Sequence, residues 1–274
     1  MIIGNKNFDT DNHTYVMGIL NVTPDSFSDG GKWNHIDIAL EHVEDMIADG
    51  AHIIDVGGES TRPGHIKISE AEEIDRTATV IEKIKKEFDI PVSIDTYKSG
   101  VAKEAIKAGA DLVNDIWGFK YDNKMAELVK ETGVACCLMH NNDKKEYSNP
   151  EKEILGQMQE CIDIALKAGI SKDKIITDPG VGFGKTYEMN LEVIKNIRAF
   201  RKLGYPVLLG TSRKSVIGLT LDLPSDEREE GTLATSVYGM LNGCSFVRVH
   251  DVKKNVRAIK MTEAFMKEKS WMGL

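Results

Sequence analysis

Cysteine is scarce: four in 274 residues. Cys136, Cys137, Cys161 and Cys244 are too few and too irregular in spacing for a disulfide framework or a zinc knuckle. Cys136 and Cys137 sit together in the apolar run 134–139 and read as buried small hydrophobes of a reducing compartment. The seven histidines form no HxH or HxxxH pair, which argues against zinc. No apolar run approaches the ~18–20 residues that span a bilayer. The first eleven residues lack the charged-then-apolar layout of a signal peptide. A soluble, cytoplasmic protein is the expectation. Positive charge is not in excess: 35 Lys and Arg face 43 Asp and Glu, a net charge of −8. Phosphate-backbone binding needs a concentrated basic face, so neither a nucleic-acid nor a membrane partner is expected. A small basic pocket for an anionic substrate stays open. Internal repeats and low-complexity stretches are absent.

What the chain does have is alternation on a larger scale. Short runs rich in Val and Ile fall at 15–20, 53–56, 91–95, 111–116, 134–139, 174–178, 206–210 and 245–249. Mostly unalternated runs of this kind suit strands buried on both faces. Amphipathic segments lie between them, at 36–49, 69–87, 99–108, 124–132, 151–168, 191–203, 229–242 and 252–267. The second of these opens on Ser69-Glu-Ala-Glu72, a capping-box pattern in which hydroxyl and carboxylate each satisfy a helix-start amide. Glycines 50, 109, 133, 169, 204 and 243 stand just past helix ends. Eight strand–helix units in about 250 residues predict a (β/α)8 TIM barrel. The competitor, an open doubly wound sheet, is less favoured because the count is eight and no long linker divides the chain. A single domain over residues 1–274 is expected, with a short N-terminal cap or hairpin before Tyr15.

Barrels of this kind carry their chemistry at the C-terminal strand ends. Those ends hold Asn21, Asp55, Asp95, Asn114-Asp115, Met139-His140, Asp178, Gly210 before Thr211-Ser-Arg-Lys-Ser215, and Arg248 with His250. Any one Asp there can be a helix cap; their convergence on one rim is what caps do not require. Asp95, Asn114 and Asp178 are acceptors that suit a ring bearing N–H groups. Lys214, Arg248 and His250 are donors that suit a carbonyl or a phosphate. A flat heterocycle bearing an anionic group fits both sets. Loops 21–35 and 57–68 are long enough to close over such a site. The stretch Gly180-Val-Gly-Phe-Gly-Lys-Thr186 mimics a phosphate loop, but Pro179 stands where the first glycine belongs and removes a backbone donor. A turn that presents Asp178 and Phe183 is the better reading. Asn21, together with phosphate oxygens, is a candidate for Mg²⁺.

Taken together these residues resemble the dihydropteroate synthase family. Met17-Gly-Ile-Leu-Asn-Val-Thr-Pro-Asp-Ser-Phe-Ser-Asp-Gly-Gly31 is similar to its first signature and Asp55-Val-Gly-Gly-Glu-Ser-Thr-Arg-Pro-Gly64 to its second. The stretch from Ser93 to Lys98, Asn114-Asp-Ile116, Asp178-Pro-Gly-Val-Gly-Phe-Gly-Lys185, Ser212-Arg-Lys-Ser215 and Arg248-Val-His-Asp251 follow in the family's order. The resemblance implies the same barrel and a transferase of folate biosynthesis. The family joins 6-hydroxymethyl-7,8-dihydropterin pyrophosphate to 4-aminobenzoate with Mg²⁺, giving 7,8-dihydropteroate and pyrophosphate; sulfonamides mimic the aminobenzoate. By motif match, Asp95, Asn114, Met139, Asp178 and Lys214 hold the pterin. Asn21, Arg248 and His250 hold the pyrophosphate, with Asn21 the metal ligand. Thr61, Arg62, Pro63, Phe183 and Ser215 form the aminobenzoate pocket. Asp95, Lys214, Arg248 and His250 are the catalytic set, and a homodimer is implied. His65 has no role in the motif. The alternatives are a pterin-binding methyltransferase, which has no pyrophosphate to hold, and an inactive pterin-binding paralogue.

Overall fold

A computed structural model describes residues 1–22, 32–60, 67–143 and 146–267. The chain opens with a hairpin of β1 (Ile2–Ile3) and β2 (Lys6–Asn7). There follow β3 (Tyr15–Asn21), α1 (Lys32–Ala48), β4 (Ile53–Gly57), α2 (Glu70–Glu87), β5 (Val92–Asp95), α3 (Ser99–Lys107), β6 (Leu112–Asp115) and α4 (Met125–Thr132). The second half holds β7 (Ala135–Met139), α5 (Pro150–Ala168), β8 (Ile175–Asp178), α6 (Tyr187–Lys195), α7 (Ile197–Arg201), β9 (Leu208–Leu209), α8 (Ser215–Leu221), α9 (Glu229–Leu241), β10 (Phe246–Val249) and α10 (Val252–Lys267). Strands β3 to β10 form one parallel sheet in the order β8-β7-β6-β5-β4-β3-β10-β9. A parallel bridge between Thr177 and Val207 closes it, with the Thr177 N–H donating to Pro206 O at 2.9 Å. This is the expected eight-stranded barrel, and the closure excludes the open sheet.

Two differences from the sequence reading have local causes. Regular pairing in β9 begins late, because Pro206 has no N–H to give to the ladder. The helix expected over 191–203 is two helices. It starts earlier, where Thr186 Oγ1 accepts the Met189 N–H, and it breaks at Asn196, whose amide donates to Glu192 O at 2.9 Å. Ser69 caps α2 as expected, accepting the Glu72 N–H at 3.2 Å. The reciprocal half of the box is replaced: the Glu72 carboxylate pairs with Arg76 one turn on.

Side chains alternate along each strand, and the register puts one alternate set inside the barrel. At the N-terminal end that set is apolar. Met17, Ile53, Leu112, Ala135, Cys137, Ile176, Leu208 and Phe246 pack with Ile3 and Phe8 of the N-terminal segment. Phe8 meets Tyr15 edge-on at 4.8 Å between ring centres. The hairpin therefore plugs the barrel floor. A larger apolar layer between strands and helices completes the core.

Candidate active site

Two residues further along the same inward set, the lining turns polar. Asp55 on β4, Asp95 on β5, Asn114 on β6, Asp178 on β8 and Arg248 on β10 point into the mouth on the same parity as the plug. The Arg248 guanidinium spans two carboxylates: Nε donates to Asp55 Oδ2 at 2.5 Å and Nη2 to Asp95 Oδ2 at 2.7 Å. Asn114 Nδ2 donates to Asp55 Oδ2 at 3.2 Å. Burial alone would lower the guanidinium's pKa, but the two carboxylates outweigh it and raise it above the ordinary value. Burial pushes the Asp95 carboxyl up, against the pull of Arg248. Asp55 Oδ1, Asp95 Oδ1 and Ser93 Oγ are buried with no hydrogen-bond partner among the described residues. Buried polar atoms are almost always satisfied in a finished core, so the two orphaned carboxylate oxygens of Asp55 and Asp95, bridged by one guanidinium, mark a place suited to a further binding group.

The opposite wall is set by β8 and the turn after β9. Gly210 leaves room there: a Cβ at that position would lie 3.8 Å from both Asp178 Oδ2 and Lys214 Nζ, and 3.9 Å from Arg248 Cβ. Arg213 holds a left-handed backbone, φ 57°, which costs a non-glycine residue ~1–2 kcal/mol. Its N–H donates to Thr232 Oγ1, its carbonyl accepts from Arg228, and the turn delivers Lys214 into the mouth. Lys214 Nζ donates to Val181 O at 2.5 Å and lies 4.8 Å from the centre of the Phe183 ring. Burial lowers its pKa to about 8 despite the pull of Asp178. Burial raises that of Asp178, although Lys214 and the Gly180 N–H favour the anion. On β10's continuation, His250 meets Ser212: Oγ accepts the His250 N–H at 3.2 Å and lies 2.9 Å from Nδ1. The Ser212 hydroxyl can donate to Nδ1 or accept from it, and either way it fixes the orientation of the ring.

The loop after β8 has its own support, which the sequence reading missed. Lys185 is buried, and its ammonium donates to His140 Nδ1 at 2.7 Å, Gly180 O at 2.9 Å and Phe183 O at 3.0 Å. His140 passes the contact to Gln157 at 3.0 Å. Burial, helped by the nearby Lys185, lowers the His140 pKa to about 3, so the ring is neutral. Gly180 must be glycine: its φ is +68°, and a Cβ would fall 1.9 Å from His140 O. Lys185 therefore holds a turn and does not face a phosphate, as Pro179 implied. The turn sets Phe183 beside Met139, in an apolar patch with Tyr97, Ile116 and Trp117. Tyr97, Ile116 and Trp117 were not assigned from sequence; their signal was adjacency to the Asp95 and Asn114 motifs.

The structure thus brings Asp95, Asn114, Met139, Asp178, Phe183, Lys214, Arg248 and His250 to one end of the barrel. Asn21 ends β3 there, exposed, opposite Gly57 in the register. Ser215 opens α8 directly after Lys214 and is exposed. Thr61, Arg62 and Pro63 lie outside the described residues, as do His65 and most of the expected loop 21–35. Asp55, placed at a strand end by the sequence but given no role, proves to be the fully buried partner of Arg248 and Asn114.

Comparison with known proteins agrees with this geometry. Residues 17–250 match the pterin-binding enzyme family. A dihydropteroate synthase of Clostridium beijerinckii is 59% identical over 268 residues, covering 97% of this chain and all of that protein. The crystal structure of a dihydropteroate synthase from Clostridium difficile, in the presence of pteroic acid, superposes with a TM-score of 0.93 at 50% identity. It covers 96% of this chain and 100% of that one. The Yersinia pestis dihydropteroate synthase in a sulfonamide drug complex gives 0.91 at 39% identity, over 98% of this chain and 99% of that one. The chain belongs to the pterin-binding enzyme family, among its dihydropteroate synthases.

Proposed function

We propose that the chain is a dihydropteroate synthase: a transferase that condenses 6-hydroxymethyl-7,8-dihydropterin pyrophosphate with 4-aminobenzoate, giving 7,8-dihydropteroate and pyrophosphate in folate biosynthesis, and a sulfonamide target. The observation that carries this reading is the orphaned Asp95 Oδ1, buried in a layer that also holds Asn114, Asp178 and Lys214. Acceptors fixed and desolvated in this way suit the N–H edge of a pterin. Met139 and Phe183 supply an apolar face for the flat ring. In the reaction the bond from the pterin methylene to oxygen breaks, and its electron pair leaves with pyrophosphate. The aminobenzoate nitrogen forms the new bond and gives up a proton. Arg248 and His250 stabilise the growing negative charge, and Lys214 holds the pterin against Asp178. Thr61, Arg62, Pro63, Phe183 and Ser215 take the aminobenzoate.

Asn21 is the residue we assign to Mg²⁺. Its amide is an oxygen donor at the exposed strand end, and its Oδ1 and Asp95 Oδ2 each lie 3.7 Å from a Cβ placed on Gly57. No group of three His, Cys, Asp or Glu fit for a metal occurs among the described residues, so the donor set suits a cation held mainly by substrate phosphates. Mg²⁺ bound there supplies positive charge to the departing pyrophosphate. A single cytoplasmic domain assembled as a homodimer completes the proposal; α8, α9 and α10 each carry exposed apolar side chains, among them Leu219, Tyr238 and Phe265, that a second copy would cover. No helix among the described residues is long and apolar enough to cross a membrane.

The test is to mix the purified protein with pterin pyrophosphate, aminobenzoate and Mg²⁺ and follow pyrophosphate release. Release that requires aminobenzoate supports the synthase. Pterin binding without release points to a methyltransferase or an inactive paralogue.

A further inference from the structure

The motif Asp95-Thr-Tyr-Lys98 divides at its first residue. Asp95 faces the mouth; the next three side chains turn to the foot of the second loop. Lys98 is buried, and its ammonium makes three bonds: to Glu59 Oε2 at 2.6 Å, Glu73 Oε2 at 2.7 Å and Ile68 O at 2.8 Å. The Tyr97 hydroxyl donates to Glu59 Oε1 at 2.6 Å. The Thr96 hydroxyl accepts the Lys98 N–H at 3.3 Å. The Ile68 N–H returns to Glu59 Oε2 at 3.1 Å, and Arg76 holds Gly58 O at 2.8 Å. Glu59 and Ile68 are the two feet of the segment that carries Thr61, Arg62 and Pro63. One ammonium and one carboxylate therefore join both feet to each other and to the end of the strand that carries Asp95.

The charges agree with a fixed clamp. Burial raises the Glu59 carboxyl's pKa, but Lys98, Tyr97 and the Ile68 N–H together hold it below the ordinary range. Burial would lower Lys98, and the two glutamates keep it above. A buried ion pair is weak evidence of stabilisation, since desolvation offsets most of its attraction. Its geometric effect is to fix where a chain segment leaves and re-enters the barrel.

We infer that Lys98 and Glu59, with the hydroxyl of Tyr97, are a positioning set: they register the aminobenzoate-binding segment against the pterin-binding strand and so govern aminobenzoate affinity, while the Tyr97 ring stays in the apolar patch with Met139 and Phe183. The inference rests on the function proposed above. Loss of one neutral hydroxyl in Tyr97→Phe is expected to raise KM for aminobenzoate about threefold to tenfold, and loss of the charged donor in Lys98→Met about tenfold or more. Pterin pyrophosphate affinity, read by calorimetry, should stay within about twofold in both, because Asp95 keeps its place. Lys98→Arg, which keeps the charge, should fall between wild type and Lys98→Met. A second readout needs no turnover. Trypsin cleaves after Lys67 and not between Arg62 and Pro63, and the Lys67–Ile68 bond adjoins the clamped foot. Cleavage after Lys67 should be at least about tenfold faster in Lys98→Met. Folded variants with unchanged aminobenzoate KM and unchanged cleavage overturn the inference. So does an equal loss of affinity for both substrates, which marks a general structural role. Should Lys98→Met not fold, Tyr97→Phe decides. If wild type releases no pyrophosphate, the function proposed above fails, and the cleavage rates still judge the clamp.

Discussion

The two ends of the barrel interior are built from the same strands, two residues apart, yet obey opposite rules. At the floor the inward residues are apolar up to Ser93 at its upper edge, and the hairpin segment covers them. At the mouth three carboxylates, an amide and two cations share one layer, Asp55 Oδ1 and Asp95 Oδ1 have no partner among the described residues, and Arg213 holds a strained backbone. The floor is settled by apolar contacts within the chain; the mouth presents polar groups that a ligand can engage. Removing groups from one end should therefore act on stability, and from the other on chemistry.

Arg248 is where this division should fail most visibly. Replacing it with Ala leaves Asp55 and Asp95 buried without their counter-ion, which costs ~3–5 kcal/mol of stability. It also removes charge from the pyrophosphate site, expected to slow turnover ~100-fold to 1,000-fold. Urea unfolding and pyrophosphate release measure the two separately. Unchanged turnover in the folded variant would take Arg248 out of the leaving-group role. Phe8→Ala at the floor should lose a similar ~3–5 kcal/mol, while kcat stays at the wild-type value well below the melting temperature. A fall in kcat there would show that the plug also sets the mouth.

The same contrast explains what could be read from the sequence. The eight strands, the hairpin and the rim residues were legible because burial on both faces leaves an unbroken apolar run, and polarity at its end is conspicuous. The Arg248–Asp55 pair was not, because the partners are far apart in the chain and only barrel closure makes them neighbours. The clamp at Lys98 and the Lys185–His140 contact stayed hidden for a further reason. A lysine beside a motif looks like a surface charge until its surroundings are known. The break at Asn196 was lost because a side chain that satisfies a helix carbonyl leaves the apolar spacing almost intact.

Lys214 sharpens the comparison through pH. Its ammonium is destabilised by burial, so the folded protein gives up this proton at about pH 8, while the unfolded chain keeps it to near 10.5. Between those values the unfolded state binds more protons, and this group's contribution to stability rises with pH. Below about pH 8 the charge is present in both states and the folded protein carries the penalty. Activity should move the other way: kcat/KM for pterin pyrophosphate should fall above about pH 8 as the cation facing Asp178 is lost. Lys214→Met should weaken pterin binding and turnover together, by ~10-fold to 100-fold, with stability at neutral pH held or raised. A variant that loses stability instead would show that Lys214 belongs with the structural residues.

Ser93 offers the smallest and most discriminating effect. Its hydroxyl lies on the inward face of β5 between floor and mouth, fully buried and without a partner among the described residues. A buried hydroxyl with no partner is a penalty in the folded protein, and alanine removes it while leaving only a small space. Ser93→Ala should therefore be neutral or stabilise the ligand-free protein by up to ~1 kcal/mol. If the hydroxyl serves a ligand, the same change weakens pterin affinity by a few-fold, so stability and binding shift in opposite senses. Denaturant midpoints with and without pterin separate the terms, since ligand stabilisation depends on the affinity alone. A variant destabilised by more than ~1 kcal/mol would mean that Ser93 is satisfied in solution and that the floor's self-sufficiency extends one layer higher. A variant stabilised without loss of affinity would confine the ligand-dependent layer to Asp55, Asp95 and their neighbours at the strand ends.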